Sequence, residues 1–462
     1  MLWLAAQCSW AAEPAGKLNV LLITADDLNF DSLGVTGSKT PDISPNLDRL
    51  ASEGLLFARA HVNVAVCQPC RECLMTGRYP HRNGGTGFNP IRRDVPTLGE
   101  SLRAAGYFQG IMAKVAHLAP QDKFCWDVVV QPQELGNGRD PALYSRHAAE
   151  FFAQAKQAGK PFFLMANSQD PHRPFAGSAQ EGSRKTAAKV RRTYAPSEVA
   201  VPGFLPYLPA VRQEIAEYYT SVHRCDETVG ALLQALDDAG MRDNTIVMFL
   251  SDHGMALPFA KTNCYYHSTR TPWMVRWPGK VKPGVVDDTH MIAGIDLAPT
   301  VLDALGLPPI DGVDGRSFLP LLEGKPQADR DRVFTRFHQT AGKRNYEMRA
   351  VIDARYGYIW NPWSDGQDVF RNESQSGRTF KAMQDAADDD AEIARRVKLF
   401  QLRTPQELYD YQNDPDALVN LIDDAGAQQD KRRLQKLLLE HLEAADDPLA
   451  PQFKQWLSQQ RQ

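Results

Sequence analysis

The run Val66-Cys67-Gln68-Pro69-Cys70-Arg71-Glu72-Cys73-Leu74-Met75-Thr76-Gly77-Arg78 decides how this chain is read. Pro69 suits the first turn of a helix, where a missing N–H costs nothing. Cys67 then stands at a helix N-terminus, facing unpaired backbone N–H groups and the positive end of the helix dipole, a place that favours anions. Arg71, one turn on, adds a planar cation to the same face. An apolar, extended-looking run at residues 60–66 leads into the segment. The cysteines alone leave other readings open. Cys67, Cys70 and Cys73 are spaced at i, i+3 and i+6, which also suits a dithiol or three metal ligands. A buried free cysteine is an ordinary small hydrophobe as well.

Working outward, four short apolar runs share one design. Residues 19–24 end in Ala25-Asp26-Asp27, and residues 107–113 end in Lys114 and His117. Residues 161–167 lead into Ser168-Gln169-Asp170-Pro171-His172-Arg173, and residues 244–251 into Asp252-His253-Gly254. Apolar runs of this length bounded by polar residues predict buried parallel strands. Helical patterns lie between them: residues 42–54, 97–106 and 211–240, the last with apolar and aromatic side chains at helical spacing. Each aspartate pair or lone histidine has a bland explanation as a cap or a solvated side chain. Four polar clusters at the ends of four strands argue instead for one site at the C-terminal edge of a parallel sheet. The expected fold class is therefore α/β, a large, mostly parallel sheet flanked by helices.

From about residue 331 the texture changes. Short alternating segments at 333–338, 348–353 and 355–360 predict an antiparallel sheet, and residues 431–444 an amphipathic helix. The expected organisation is a catalytic domain at residues 17–330 and a smaller α+β unit at residues 331–462. Residues 1–16 read as a truncated secretory leader, with a short apolar stretch and small residues near Ser9, Ala11 and Ala12. Export to the periplasm or the exterior is the corresponding expectation. No stretch is long and apolar enough to span a bilayer. Seven cysteines in 462 residues do not make a disulfide framework. A net charge of −4 provides no global field for nucleic acid or membrane, so an anionic partner must be held by a local cluster. The basic stretch at residues 183–192 reads first as a solvated loop and second as a contact for a polyanion.

The chemistry of the strand-end clusters is that of anionic ester hydrolysis, which needs an anion cradle, a nucleophile and an acid for the leaving group. Asp26, Asp27 and Asp252 supply hard oxygen ligands that suit Ca²⁺ or Mg²⁺ better than Zn²⁺, with His253 a softer neighbour. Arg71, Lys114 and Lys261 would neutralise the transferring group. His117 and His172 are candidates for proton transfer near neutral pH.

The Cys67-to-Arg78 segment resembles the signature of type I sulfatases, members of the alkaline-phosphatase-like superfamily: Cys or Ser, any residue, Pro, usually Ser, then a Thr-Gly-Arg tail. Cys70 stands where Ser is usual. The resemblance extends over residues 19–421. Asp26-Asp27 and Asp252-His253 match the family's two Ca²⁺ segments, and Lys114-Val115-Ala116-His117 is similar to the spacing in the iduronate sulfatases. Asp170 to Arg173, residues 201–230, Lys261 to Tyr266, Met348 to Val351 and Glu407 to Asp410 resemble the heparan sulfamidase branch, which has Arg where Lys261 stands.

What the resemblance implies is specific. Cys67 becomes formylglycine, made by a formylglycine-generating enzyme, and serves as nucleophile and metal ligand beside Asp26, Asp27, Asp252 and His253. Arg71 and Lys114 hold its hydrated form. His117 helps expel sulfate, while His172 and Lys261 bind sulfate and protonate the leaving group. Asp170, Arg173 and Arg349 belong to substrate binding, Arg349 reaching in from the second unit. The expected reaction is hydrolysis of a sulfate ester or sulfamate on a glycosaminoglycan-like carbohydrate. The alternatives are a formylglycine-dependent phosphodiesterase or phosphonate monoester hydrolase, and a non-catalytic glycan-binding protein with an intact Cys67 thiol.

Overall fold

A computed structural model describes residues 17–183 and 188–460. The expected leader, and Arg184 and Lys185 of the basic stretch, lie outside the described residues.

Eight strands form the main sheet: β1 (Asn19–Asp26), β2 (Leu55–Phe57), β3 (Phe108–Met112), β4 (Val128–Val130), β5 (Phe162–Pro171), β6 (Thr245–Ser251), β7 (Trp273–Arg276) and β8 (Val285–Asp287). Their order across the sheet is β4-β3-β5-β1-β6-β7-β2-β8. The five strands from β4 to β6 are all parallel; β7 runs antiparallel to both β6 and β2, and β8 runs parallel to β2. All eight residues of β1 are buried, as a strand covered on both faces requires. It lies between β5 and β6, so the three strand ends richest in polar side chains are neighbours. The β1–β5 register is regular from Val20↔Phe163 to Thr24↔Asn167 and then shifts, so that Asp26 stands opposite Pro171. That irregularity carries β5 beyond its apolar run and brings Gln169 to Asp26.

The helices α1 (Pro45–Ser52), α3 (Leu98–Ala104) and α5 (Pro209–Asp238) fall where the periodicity places them and α2 (Cys67–Thr76) where Pro69 places it; α4 (Pro141–Gln157), capped by Asp140, was not expected from the sequence. Thr97 and Glu100 form a reciprocal capping box at the start of α3. The 30-residue α5 is about 45 Å long and buries Ile215, Tyr218, Val222, Val229 and Leu236 along one side. These aromatic side chains are core, as their spacing indicates.

A second sheet of four antiparallel strands comprises β9 (Arg332–Gln339), β10 (Asn345–Asp353), β11 (Tyr356–Trp360) and β12 (Gln406–Asp410). Its side chains alternate between two cores. Met348, Ala350, Ile352 and Ile359 join the main core. Val351, Tyr358, Trp360 and Leu408 pack with Leu434, Leu438 and Phe453 of the helices α6 (Gln428–Ala444) and α7 (Ala450–Gln459). The period of two along β10 thus lets one sheet serve as the wall between two apolar clusters.

Candidate active site

Helix α2 carries the decisive segment. Val66 is the extended N-cap residue, Cys67 is the first helical residue, and all ten residues of the helix are buried. The helix ends at Gly77, whose φ of 64° is left-handed and whose N–H donates to the Cys73 carbonyl at 2.9 Å. Glycine makes that stop without a Cβ penalty, which explains the Thr-Gly pair.

The sheet places the expected acids around Cys67. Ligand atoms of Asp26, Cys67, Asp252 and His253 all lie within 4.8 Å of one another, and those of Asp27, Cys67 and His172 make a second such group. Cys67 Sγ is 3.3 Å from His253 Nε2. The Asp27 backbone N–H donates to Asp252 Oδ1 at 3.2 Å, locking the two strand ends together. Asp26 Oδ1 is buried without a hydrogen-bond partner. Asp27 Oδ1 is likewise without one, and hard carboxylate oxygens converging with two unsatisfied buried acceptors fit a divalent cation of the Ca²⁺ or Mg²⁺ type.

Cations surround the acids. Arg71 is fully buried; its guanidinium donates to Asp252 Oδ2 at 2.7 Å, to Thr24 Oγ1 at 2.6 Å and to Asn167 Oδ1 at 2.7 Å, with Asp26 Oδ1 at 4.0 Å. It braces the carboxylates from beneath and does not line the open cavity. Lys114, in left-handed backbone after β3, pairs with Asp26 Oδ2. Burial alone would raise the Asp26 carboxyl, but Lys114, His172 and Arg71 hold it well below the usual carboxylate range. Lys261 donates to Asp27 Oδ2 at 2.9 Å and to Glu373 Oε2 at 2.8 Å. Burial would push its ammonium down, but Asp27 and Glu373 hold it well above its ordinary value. Lys261 is therefore a permanent cation.

The two histidines differ. Burial, then Lys114 and Arg71, push His117 down to about 2, so its imidazole is neutral at physiological pH. It stacks edge-on against Phe88 at 5.6 Å, and its Nδ1 has no partner. His172 Nδ1 lies 2.5 Å from the Arg173 carbonyl, which only accepts, so Nδ1 carries hydrogen. Its Nε2 faces Glu373 Oε1 at 3.4 Å. Glu373 thus bridges His172 and Lys261. Burial would raise its carboxyl, but Lys261 and His172 bring it down to about 2.

Cys67, Lys114, His117, His172, Lys261 and Glu373 all line one cavity of about 830 Å³, with room for much more than a sulfate group. Three residues expected at the substrate lie elsewhere. Asp170 is wholly buried and forms ion pairs with Arg139 and Arg224. Arg173 is tied to Glu214 at 2.8 Å and to the Ala256 carbonyl at 2.7 Å. Arg349 lies inside the second sheet, forked onto Asp447 at 2.7 and 3.1 Å. All three are engaged in internal pairing and none lines that cavity, though Arg173 lines a smaller adjoining pocket with His172 and Glu373.

Four residues escaped the sequence reading. Thr24 and Asn167 end apolar strands and orient Arg71, a signal that was present in the pattern. Gln169 donates to Asp26 Oδ2 at 3.3 Å. Glu373 opens a short 3-10 turn, Glu373–Ser376, with no motif around it, and only the fold brings it to the site.

A cysteine at a helix N-terminus, ringed by carboxylates and cations at the C-terminal edge of a parallel sheet, fits a hydrolase of anionic esters. Comparison with known proteins makes the class specific. The profile described as Sulfatase matches residues 18–307, and the one described as N-sulphoglucosamine sulphohydrolase, C-terminal, matches residues 252–367. The chain belongs to the sulfatase family and is a sulfatase, an enzyme that hydrolyses sulfate ester or sulfamate bonds. It is 31% identical over 447 residues to the N-sulphoglucosamine sulphohydrolase of Homo sapiens, covering 88% of this chain and 86% of that one. It is 27% identical to an ulvan-active sulfatase of Formosa agariphila, covering 94% of this chain and 82% of that one. Among solved structures, a protein in complex with its substrate D-glucosamine-2-N,6-O-disulfate superposes with a TM-score of 0.68 at 19% identity, covering 94% and 99% of the two chains. The phosphonate monoester hydrolase of Agrobacterium radiobacter gives 0.69 at 19% identity, covering 93% and 96%. These two likenesses establish the shared fold.

Proposed function

We propose that this protein removes sulfate from an O- or N-sulfated carbohydrate of the glycosaminoglycan type, with Cys67 converted to formylglycine. The observation that carries the reading is that Cys67, Lys114, His117, His172 and Lys261 line one cavity while three buried aspartates gather about Cys67. The state of the unmodified thiol supports it. Burial, and then the charge of Asp26, push the Cys67 thiol well above its ordinary value. A thiol held protonated is a poor nucleophile, so an activated cysteine protease-like mechanism does not suit this pocket.

Asp26, Asp27, Asp252, His253 and the residue at position 67 would hold Ca²⁺, or by the same donor set Mg²⁺. The ion would supply Lewis acidity toward a sulfate oxygen, and the hydrated aldehyde a hydroxyl nucleophile. The remaining roles fall to the chain's own groups. Lys114 and Lys261 stabilise the negative charge that develops on the sulfuryl oxygens. Neutral His117 accepts a proton at the nucleophile side. His172 stands on the leaving-group side, its ring oriented by the Arg173 carbonyl and Glu373. Arg71 acts through Asp252 and Asp26, fixing their carboxylates.

The N-sulphoglucosamine relative points toward an N-sulfated amino sugar as the preferred substrate. We place the catalytic unit at residues 17–330 and the second unit at residues 331–462. The small-residue start at residues 1–16 supports export. The test is turnover of aryl sulfate against aryl phosphate, followed by O- and N-sulfated sugars, by protein co-produced with a formylglycine-generating enzyme. Sulfate turnover abolished by Cys67→Ala is expected; preference for the phosphate ester would favour the phosphodiesterase reading.

A further inference from the structure

We infer that the mouth of the cavity carries a second anion-binding subsite, formed by Arg344 and Arg371, which selects substrates bearing a negative group besides the one removed. The inference rests on the sulfated-carbohydrate reading and deepens it.

Both arginines line the cavity that holds Cys67. Arg344 lies in the turn between β9 and β10, and Arg371 in the segment after β11, so both overhang the site from the second sheet. Among the described residues, neither guanidinium has a hydrogen-bond or carboxylate partner. That sets them apart from Arg71, Arg173 and Arg349, each of which is paired to an acid. Their backbones are nonetheless fixed. Arg371 N–H donates to the Tyr346 hydroxyl at 3.2 Å, and the next side chain, Asn372, donates to Thr262 and the Lys261 carbonyl. Arg344 N–H donates to Thr340 Oγ1 at 3.3 Å, and Arg344 O accepts from Thr340 N–H at 3.0 Å, closing the turn. Two exposed, unpaired guanidinium groups on hydrogen-bonded segments of one cavity wall are suited to planar or tetrahedral anions.

The chain bounds the backbone of Arg371 relative to the chemistry. Arg371 is two residues from Glu373, which touches both His172 and Lys261. Two residues span at most about 7 Å of backbone. With the reach of the arginine and glutamate side chains added, and with Arg344 lining the same cavity, we place the second anion on the same sugar ring or on a sugar residue close to it in the glycan chain. The volume of about 830 Å³ leaves room for either. Phe88, which lines the same cavity beside His117, offers an apolar surface for a ring.

A second sulfate on the same ring and the carboxylate of an adjoining uronic acid present the same chemistry. Three probes separate them: glucosamine N-sulfate, glucosamine N,6-disulfate, and a disaccharide of N-sulfated glucosamine followed by a uronic acid. We compare full-length protein with the double variant Arg344→Ala/Arg371→Ala and with Arg344→Lys/Arg371→Lys. The subsite predicts that the kcat/KM ratio of a doubly charged over the singly charged substrate falls at least about tenfold in the alanine variant, mainly through KM, with partial recovery in the lysine variant. Whichever doubly charged substrate loses its preference identifies the source of the anion. A ratio that does not change, or an equal loss on all three substrates, overturns the inference. Calorimetric binding of both doubly charged sugars to Cys67→Ala protein, with and without the arginines, reads the subsite independently of turnover. Binding weakened about tenfold without turnover in the parent would overturn the enzymatic reading and keep the subsite; binding of both sugars unchanged overturns the subsite.

Discussion

Replacing Arg71 with alanine tests whether the acids of the site are held together by charge compensation. In the structure Asp26, Asp27 and Asp252 face Arg71, Lys114 and Lys261, three carboxylates against three cations in a buried space. Arg71→Ala strands Asp252 Oδ2 and releases Thr24 and Asn167 from their 2.6 and 2.7 Å hydrogen bonds. Removing one partner of a buried ion pair costs about 3–5 kcal/mol, because the remaining charge is left uncompensated. At about 2.1 cal/mol/K per residue, the unfolding entropy of 462 residues converts about 4 kcal/mol into a fall in Tm of about 4 °C for cooperative unfolding. Scanning calorimetry should be run in chelator and again with Ca²⁺ in excess. A cation at one hundred times its Kd stabilises by about 2.7 kcal/mol, and it binds more strongly where the carboxylates have lost a counter-charge. The deficit of the variant should therefore shrink when Ca²⁺ is added. Arg71→Lys should fall between, since one point charge cannot reach Asp252, Thr24 and Asn167 together. A variant that melts within 1 °C of the parent in chelator, or a deficit indifferent to Ca²⁺, would refute the charge-compensation account, about 1 °C being what a surface change of 0.5–1 kcal/mol produces.

Other expectations follow from the same geometry. Glu72, next to Arg71 in α2 and one turn beyond Gln68, is buried, with Oε1 accepting from Gln68 and Oε2 unpartnered, and burial pushes its carboxyl up to about 9. An acid raised on folding favours the protonated folded state, so its contribution is intact below about 4.5 and is lost progressively as pH rises toward 9. Glu72→Gln should accordingly stabilise the protein at pH 8 and lose that advantage near pH 4; an equal Tm change at both pH values would contradict it. His172→Asn should slow sulfated sugars, which have poor leaving groups, at least about 100-fold, and nitrophenyl-type sulfates much less; equal losses in kcat would remove His172 from the leaving-group side. Glu373→Gln frees Lys261 and His172 from a carboxylate and should lower kcat while tightening inorganic sulfate as an inhibitor; unchanged sulfate inhibition would show that the bridge does not compete with substrate anions.

Much of this was legible in the sequence because burial and periodicity constrain it. β1 and β6 are almost wholly apolar runs and β5 begins as one, and such runs bounded by polar residues point to interior strands with the polar residues at their ends. The same pattern, with the run before Lys114, singled out Asp26, Asp27, Lys114, His172 and Asp252, which the fold brings close to Cys67 or to one another. It failed where a charged side chain has two uses. Asp170, Arg173 and Arg349 look like the site residues in type and position, yet each is satisfied by a partner far away in the chain: Arg224, Glu214 and Asp447. Pairing over such separations leaves no local trace. Glu373, Arg344 and Arg371 were invisible for the opposite reason. They lie in loops and a short turn, and only the docking of the second sheet against the first brings them to the cavity.

The most direct test of the account is a mass spectrum of the tryptic peptide containing Cys67, taken from protein co-produced with a formylglycine-generating enzyme and assayed in parallel on a sulfated sugar. The account predicts loss of the thiol, gain of an aldehyde at position 67, and turnover in proportion to the modified fraction. An intact Cys67 thiol in protein that still hydrolyses the sulfate, or full conversion with no sulfate released, would contradict it.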